Sequence, residues 1–199
     1  MKLIILFFLT LTTITYSNND TIVDSDFTKN QIFLNKDIPK KIIDSQRLIT
    51  VYYYGYDNKI HKGQLVCHYS VVNSLKLVFD KLLEDKFPIY SVIPVNAFEW
   101  DDNKSMLANN TSCFNYRKTQ SGKLSEHGRG LAIDINPFDN PYITSNNNIY
   151  PKGSLYRSGA KGTILANSKI IKYFKEIEWK WGGNWRYSKD YQHFSLNGR

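Results

Sequence analysis

A carboxylate sits inside an apolar run, Leu131-Ala132-Ile133-Asp134-Ile135, bounded by Gly130 and Pro137, and this constrains the fold more than any other feature. The run has the length and β-branched content of a buried strand. A carboxylate there is costly unless it is paired or bound to a cation, so the chain must bring partners to Asp134. His127 lies seven positions earlier, in Ser125-Glu126-His127-Gly128-Arg129-Gly130. It can fold back onto the same point because the glycines allow a tight bend and a close approach. A second partner lies far downstream, in Asp190-Tyr191-Gln192-His193-Phe194. A turn with three residues per repeat puts positions i and i+3 on one side, so Asp190 and His193 are expected to face a common centre. Two His and one Asp with an open fourth position are the coordination pattern of a catalytic zinc, whereas structural zinc sites are closed by four protein ligands. Asp190 is then spare, placed to accept a proton from the attacking water. On spacing alone, an ordinary hydrogen-bonded His–Asp pair and a turn-capping Asp190 remain alternatives.

The rest of the pattern is α+β: helices and strands mix without regular β-α alternation. Thr50–Tyr54 reads as a strand and Ile89–Val95 as another, leading to Asp101-Asp102 and a polar loop through Thr111. Val71, Leu75, Val78, Phe79, Leu82 and Leu83 recur at helical spacing, predicting a helix over about 69–86 that Phe87-Pro88 ends. A second helix fits Ser168–Glu176. Asn140–Gly162, rich in Asn, Pro, Gly and Ser, reads as a long loop, and the aromatic tail Trp179–Leu196 as a loop entering a final strand. Asn18 to about Arg47 reads as a polar, irregular arm packed loosely on the domain.

The chain has 199 residues, a length for one domain with appendages, and 15% of them are aromatic, which excludes a disordered chain. It opens Met-Lys, runs apolar from Leu3 to Leu11 and turns polar at Ser17, the pattern of a secretory signal over 1–17; an uncleaved anchor is the alternative. The domain division expected is signal peptide 1–17, leader or N-terminal arm 18–48 and a catalytic domain over 49–199. With 26 basic and 18 acidic side chains the net charge is +8, suited to anionic surfaces such as cell-wall polymers. The lysines are scattered and carry no nucleic-acid-binding signature, so no nucleic-acid partner is expected. No integral membrane insertion is expected after signal cleavage, and the chain is read as a monomer. Cys67 and Cys113 could be bridged or free; too few and too far apart for a Cys-x-x-Cys pair, they exclude a thiol-only zinc site.

Three segments taken together resemble one family: Asn110-Thr111-Ser112-Cys113-Phe114-Asn115-Tyr116-Arg117, then Leu124 through Pro137, then Asp190-Tyr191-Gln192-His193-Phe194. It is the VanY-like family of zinc peptidases, D-alanyl-D-alanine carboxypeptidases and L-alanyl-D-glutamate endopeptidases, and the likeness runs from about Gly63 to Leu196. The resemblance implies a small α+β domain, a mostly antiparallel sheet with flanking helices shared with Hedgehog-type zinc domains. It implies one zinc ion on His127, Asp134 and His193, with Asp190 as catalytic base. Arg117 corresponds to the arginine that holds the substrate carbonyl or oxyanion. Ser125 has a supporting or substrate-contact role, and Glu126 stands where relatives often carry Asn. The substrate implied is the stem peptide of bacterial peptidoglycan, acted on by a secreted, periplasmic or wall-associated enzyme. The L-Ala–D-Glu endopeptidase is favoured by the form of the first and third segments; D-Ala–D-Ala carboxypeptidase is the alternative. A non-catalytic wall-binding module or a Hedgehog-like signalling role on the same fold are the readings of another class.

Other conspicuous residues have plainer readings. His61 and His68 read as packed or surface histidines; Arg129 reads as solvated, with a substrate carboxylate contact as the alternative, and Asp101 and Asp102 as caps or turn residues, with orientation of a ligand as the alternative. Asn115 can order the Arg117 loop through side-chain hydrogen bonds. Trp179, Trp181, Trp185 and Tyr187 read as core and loop packing, with a substrate-groove wall, through Trp181, as the alternative.

Overall fold

Alternation sets the longest strands. In Gln46–Gly55, Ile49, Val51 and Tyr53 point inward while Thr50 and Tyr52 point to solvent, the period of a half-buried strand. The computed structural model describes residues 21–34, 36–119 and 121–199; the expected signal peptide, 1–17, lies outside them. Strand β1 (Ile22–Val23) pairs parallel with β3 (Ile60–His68), and β3 pairs antiparallel with β2 (Gln46–Gly55) along its whole length. The short β4 (Pro88–Ile89) completes a sheet of order β1-β3-β2-β4.

One face of this sheet takes helix α3 (Val72–Glu84), which buries Leu75, Val78, Phe79 and Leu82 after a 3-10 turn at Tyr69–Val71. Those side chains join Ile49, Val51, Tyr53, Leu65, Ile133, Phe174 and Phe194 in the main core. Helix α6 (Lys169–Glu176) lies against α3, and the ion pairs Lys81–Glu176 (2.5 Å) and Lys169–Asp85 (2.7 Å) link the two.

The opposite face is covered by the N-terminal segment. The sequence reading of a loose arm is corrected here: α1 (Lys29–Phe33) and α2 (Lys40–Ser45) bring Ile32 and Ile38 onto Val66 and Phe114 in a second apolar cluster. Thr28 and Gln31 form a reciprocal capping box that starts α1. The arm hid from sequence reading because its apolar residues fall in elements of five and six residues, too short to show a period.

Between Val92 and Ile135 the chain builds the site's floor. The expected single strand Ile89–Val95 is two, β4 and β5 (Ser91–Val92), and the expected polar loop holds α4 (Asp102–Leu107) and β6 (Asn110–Thr111). Strand β6 pairs parallel with β5. Helix α5 (Glu126–Arg129) is a single turn, followed by the buried strand β7 (Ala132–Asp134). The long loop 140–162 contains a small hairpin, β8 (Tyr142–Ile143) and β9 (Ile149–Tyr150). Its ends are held by Asn136 and Asn140, whose amides both donate to the Gly162 carbonyl.

In the tail, β10 (Lys180–Trp181) precedes a 3-10 turn at Gly182–Asn184, then come β11 (Lys189–Asp190) and β12 (His193–Ser195). Strand β12 lies between β10 and β7, antiparallel to both, while β11 joins β8 and β9 in a separate sheet. The architecture is the expected mixed α and β fold of one small domain with mainly antiparallel sheets. Among the described residues no helix is long and apolar enough to cross a membrane.

Candidate metal centre

Strand register makes the first contact of the site. His193 stands directly opposite Asp134 across the β7–β12 ladder. Opposed residues of an antiparallel pair share a face, so the ring and the carboxylate meet without any loop to aim them. The expected 3-10 turn is therefore corrected: Asp190 and His193 end one strand and begin another, in different sheets.

His127 arrives from the other side on α5. Ser125 caps that turn, its Oγ accepting from the Gly128 N–H at 2.9 Å, and Gly130 ends it at φ 72°. A Cβ on Gly130 would lie 2.6 Å from the His68 nitrogen and 3.1 Å from the Cys67 carbonyl carbon, so only glycine permits this return.

Three ligand-type side chains converge. His193 Nδ1 is 3.0 Å from Asp134 Oδ1, His127 Nε2 is 3.2 Å from Asp134 Oδ2, and the two ring nitrogens are 3.2 Å apart. All three residues are buried, and their ligand atoms lie within 4.8 Å of one another. The outer ring nitrogens fix the inner ones: His127 Nδ1–H donates to the Cys113 carbonyl at 2.7 Å, and His193 Nε2–H to the Arg199 backbone oxygen at 3.2 Å. With each ring proton so committed, two imidazole lone pairs and a carboxylate face one point, an arrangement of acceptors that a cation completes. Burial alone would raise Asp134, but the two imidazoles hold it well below the ordinary carboxylate range. Burial works against a charge on His193, and Asp134 and then Asp190 overcome it and raise its pKa. The residues fit a metal ion.

Asp190 sits beside this centre. A Cβ built on Gly182 would lie 2.8 Å from the Asp190 Cβ and 3.3 Å from the His193 Cβ, which puts both side chains against one glycine. Burial pushes the Asp190 carboxyl up to about 7, Asp134 adding to the rise while His193, Gln192 and Arg117 oppose it. Its Oδ1 is buried with no hydrogen-bond partner, an acceptor ready for a proton-bearing group.

Arg117 is half-exposed, its Nη2 3.3 Å from Asp102 Oδ2, and its Nε is buried without a partner. Asp102 also accepts from Asn115 Nδ2 at 3.0 Å, so the expected ordering of the arginine loop by Asn115 runs through Asp102. Asp101 caps α4 as read, accepting from the Asn103 and Lys104 N–H groups. Asp102 as the arginine's holder is not legible in the sequence, since no period there marks Asp102–Leu107 as a helix.

Other sequence candidates fall elsewhere. Ser125 spends its hydroxyl on the cap of α5, accepting from the Gly128 N–H. Trp181 is 6% exposed, its Nε1–H donating to the Tyr191 carbonyl at 2.8 Å, so it belongs to the core and forms no groove wall. His61 is held between Asp24 (3.0 Å) and Asp57 (2.9 Å), and His68 bonds Ser70. Glu126 faces Arg129 at 3.6 Å. Cys67 and Cys113 are free buried thiols, burial pushing Cys67 up to about 12 and Cys113 well above its ordinary value. The backbone oxygens of Cys113 and Arg199 were invisible to sequence reading, because main-chain acceptors carry no residue signature.

A small α+β domain with a buried His-Asp-His cluster placed to bind a metal ion defines the class. Residues 119–196 match the model of a family described as D-alanyl-D-alanine carboxypeptidase. The match takes in His127, Asp134, Asp190 and His193, spans under half of the chain, and begins just after Arg117. No curated protein and no solved structure matches the chain.

Proposed function

We propose that the protein is a secreted zinc peptidase that hydrolyses stem peptides of bacterial peptidoglycan. The observation carrying this reading is the convergence of His127 Nε2, Asp134 and His193 Nδ1, with their outer ring nitrogens tied off, inside a segment that matches a peptidase family. Zinc suits two imidazoles and a carboxylate with a position left open. When bound, it supplies Lewis acidity that polarises the scissile carbonyl and lets a water lose its proton near neutral pH.

The chain's own groups do the rest. Asp190, with its partnerless buried oxygen, accepts the proton of the attacking water and returns it to the leaving amine. Arg117, steered by Asp102, sets a fixed positive charge against the oxygen that becomes negative in the tetrahedral state, a contribution of about 3–4 kcal/mol for a single well-placed donor. Asp134 and the two imidazoles are the metal's anchors and move no proton.

Between the two bonds of the stem peptide, we favour cleavage of L-Ala–D-Glu, because the Asn110–Arg117 and Asp190–Phe194 segments resemble that branch of the family. The description of the matched family favours the other reading, release of a terminal D-Ala. Digestion of defined muropeptides by zinc-loaded protein, with products weighed by mass spectrometry, tests the proposal. Products cut after L-Ala are expected. Release of D-Ala alone overturns the choice of bond, and intact substrate under every metal condition overturns the peptidase.

A further inference from the structure

The sheet formed by β11, β8 and β9 carries aromatic side chains for which hydrolysis has no use. Its register places Asp190 opposite Tyr142 and Tyr142 opposite Tyr150. Opposed residues share a face at spacings of about 5 Å, so these three make a row about 10 Å long that starts at Asp190. The Tyr142 and Tyr150 rings lie 6.4 Å apart and within 26° of parallel. Trp185 joins the row to the metal centre: its ring is 6.4 Å from Tyr142 and 5.6 Å from the His193 ring. Its Nε1–H is fixed on the Gly198 carbonyl at 2.9 Å. Tyr150 is 46% exposed, Tyr142 and Trp185 are half-buried, and none of the three belongs to either core cluster.

Aromatic rings partly open to solvent and with polar tips suit a ligand that is apolar on its faces and hydroxylated at its rim. A pyranose ring is such a ligand. We propose that Tyr142 and Tyr150, with Trp185 behind them, form a subsite for the hexosamine rings of the glycan that carries the stem peptide. This rests on the peptidase reading above and extends it to the sugar. Reach favours the same bond: at about 3.5 Å per residue, the L-Ala–D-Glu bond lies about one residue from the lactyl group on the sugar. The terminal D-Ala–D-Ala bond lies about four residues away, on the order of 14 Å, beyond a row about 10 Å long that begins at the proton acceptor.

The test compares the free pentapeptide with the same peptide on its disaccharide, for zinc-loaded wild type and for a Tyr142→Leu/Tyr150→Leu variant that keeps apolar bulk without the rings. Wild type is expected to prefer the glycosylated substrate about tenfold or more in kcat/KM, and the variant's ratio is expected to fall towards one. A Tyr142→Phe/Tyr150→Phe protein should retain the preference. A wild-type ratio near one, or a ratio unchanged in the leucine variant, overturns the subsite. If wild type cleaves neither substrate the peptidase reading fails, and the subsite is then decided by calorimetric titration with the disaccharide alone. Binding that the leucine variant loses supports it, and absence of binding overturns it.

Discussion

At the residue scale, the site is decided by which ring nitrogen each histidine has left. His127 gives Nδ1 to Cys113 and His193 gives Nε2 to Arg199, so opposite nitrogens of the two rings meet at Asp134. Asp190 stands outside this set, and the account separates binding from turnover at that residue. Asp190→Asn is expected to keep the bound metal and lose about 10²–10⁴-fold in kcat, read by metal analysis beside a peptide-cleavage assay; unchanged kcat removes Asp190 from the reaction. Asp102 acts through another residue. Asp102→Ala is expected to lower kcat/KM in the wild-type background and to cost nothing further in an Arg117→Ala background, because its role is to hold that guanidinium. Equal losses in both backgrounds would contradict this. The buried carboxylate in an apolar run marks Asp134 as needing partners, and His127 and His193 do meet it. Spacing alone leaves an ordinary His–Asp pair open, and the full ligand set comes from the resemblance; the i,i+3 argument for Asp190 assumes a turn that the strands replace. Asp102 was not legible, since its link to Arg117 crosses fifteen positions and an unrecognised helix.

At the scale of elements, the two longest patterns were the most readable. The 3.6-residue period of Leu75, Val78, Phe79 and Leu82 became α3, and the two-residue period from Ile49 to Tyr53 became β2. Elements of two to six residues, among them α1, α2, α4, β8 and β9, carry too little period to register and are set by tertiary contacts instead. The same limit made a turn of what is a strand-to-strand passage between Asp190 and His193. The α3–α6 pair has an acid-sensitive seam. Lys169, with Tyr173, lowers the Asp85 carboxyl and Lys81 lowers that of Glu176. Groups lowered in the folded state contribute stability above their unfolded pKa, near 4, and lose it as pH falls through the folded value. Wild type is therefore expected to lose more urea resistance between pH 5 and pH 3 than an Asp85→Asn/Glu176→Gln variant, by a small margin that salt narrows further. Equal losses would remove the seam from the account.

At the scale of the whole molecule, the central sheet is sealed on both faces, by α3 on one and by the N-terminal segment on the other. Ile32 is 1% exposed in that second cluster. Ile32→Ala is expected to cost about 2–5 kcal/mol in urea denaturation, as for a core residue; a cost within about 0.5 kcal/mol would mean that the segment is the loose arm its sequence suggests. Ile133 packs β7 into the core that the sheet shares with α3, the ladder to β12 carries His193 to Asp134, and α5, ended by Gly130, brings His127 onto both. Everything argued about chemistry depends on that meeting point holding a metal ion. Its most direct test is elemental analysis of the purified chain, titrated with zinc and dialysed, beside Asp134→Ala. The account predicts one tightly held zinc per wild-type chain, removed together with peptide hydrolysis by a chelator and restored by zinc, and none in the variant. A wild-type chain that retains no zinc, or an Asp134→Ala chain that retains as much, would contradict it.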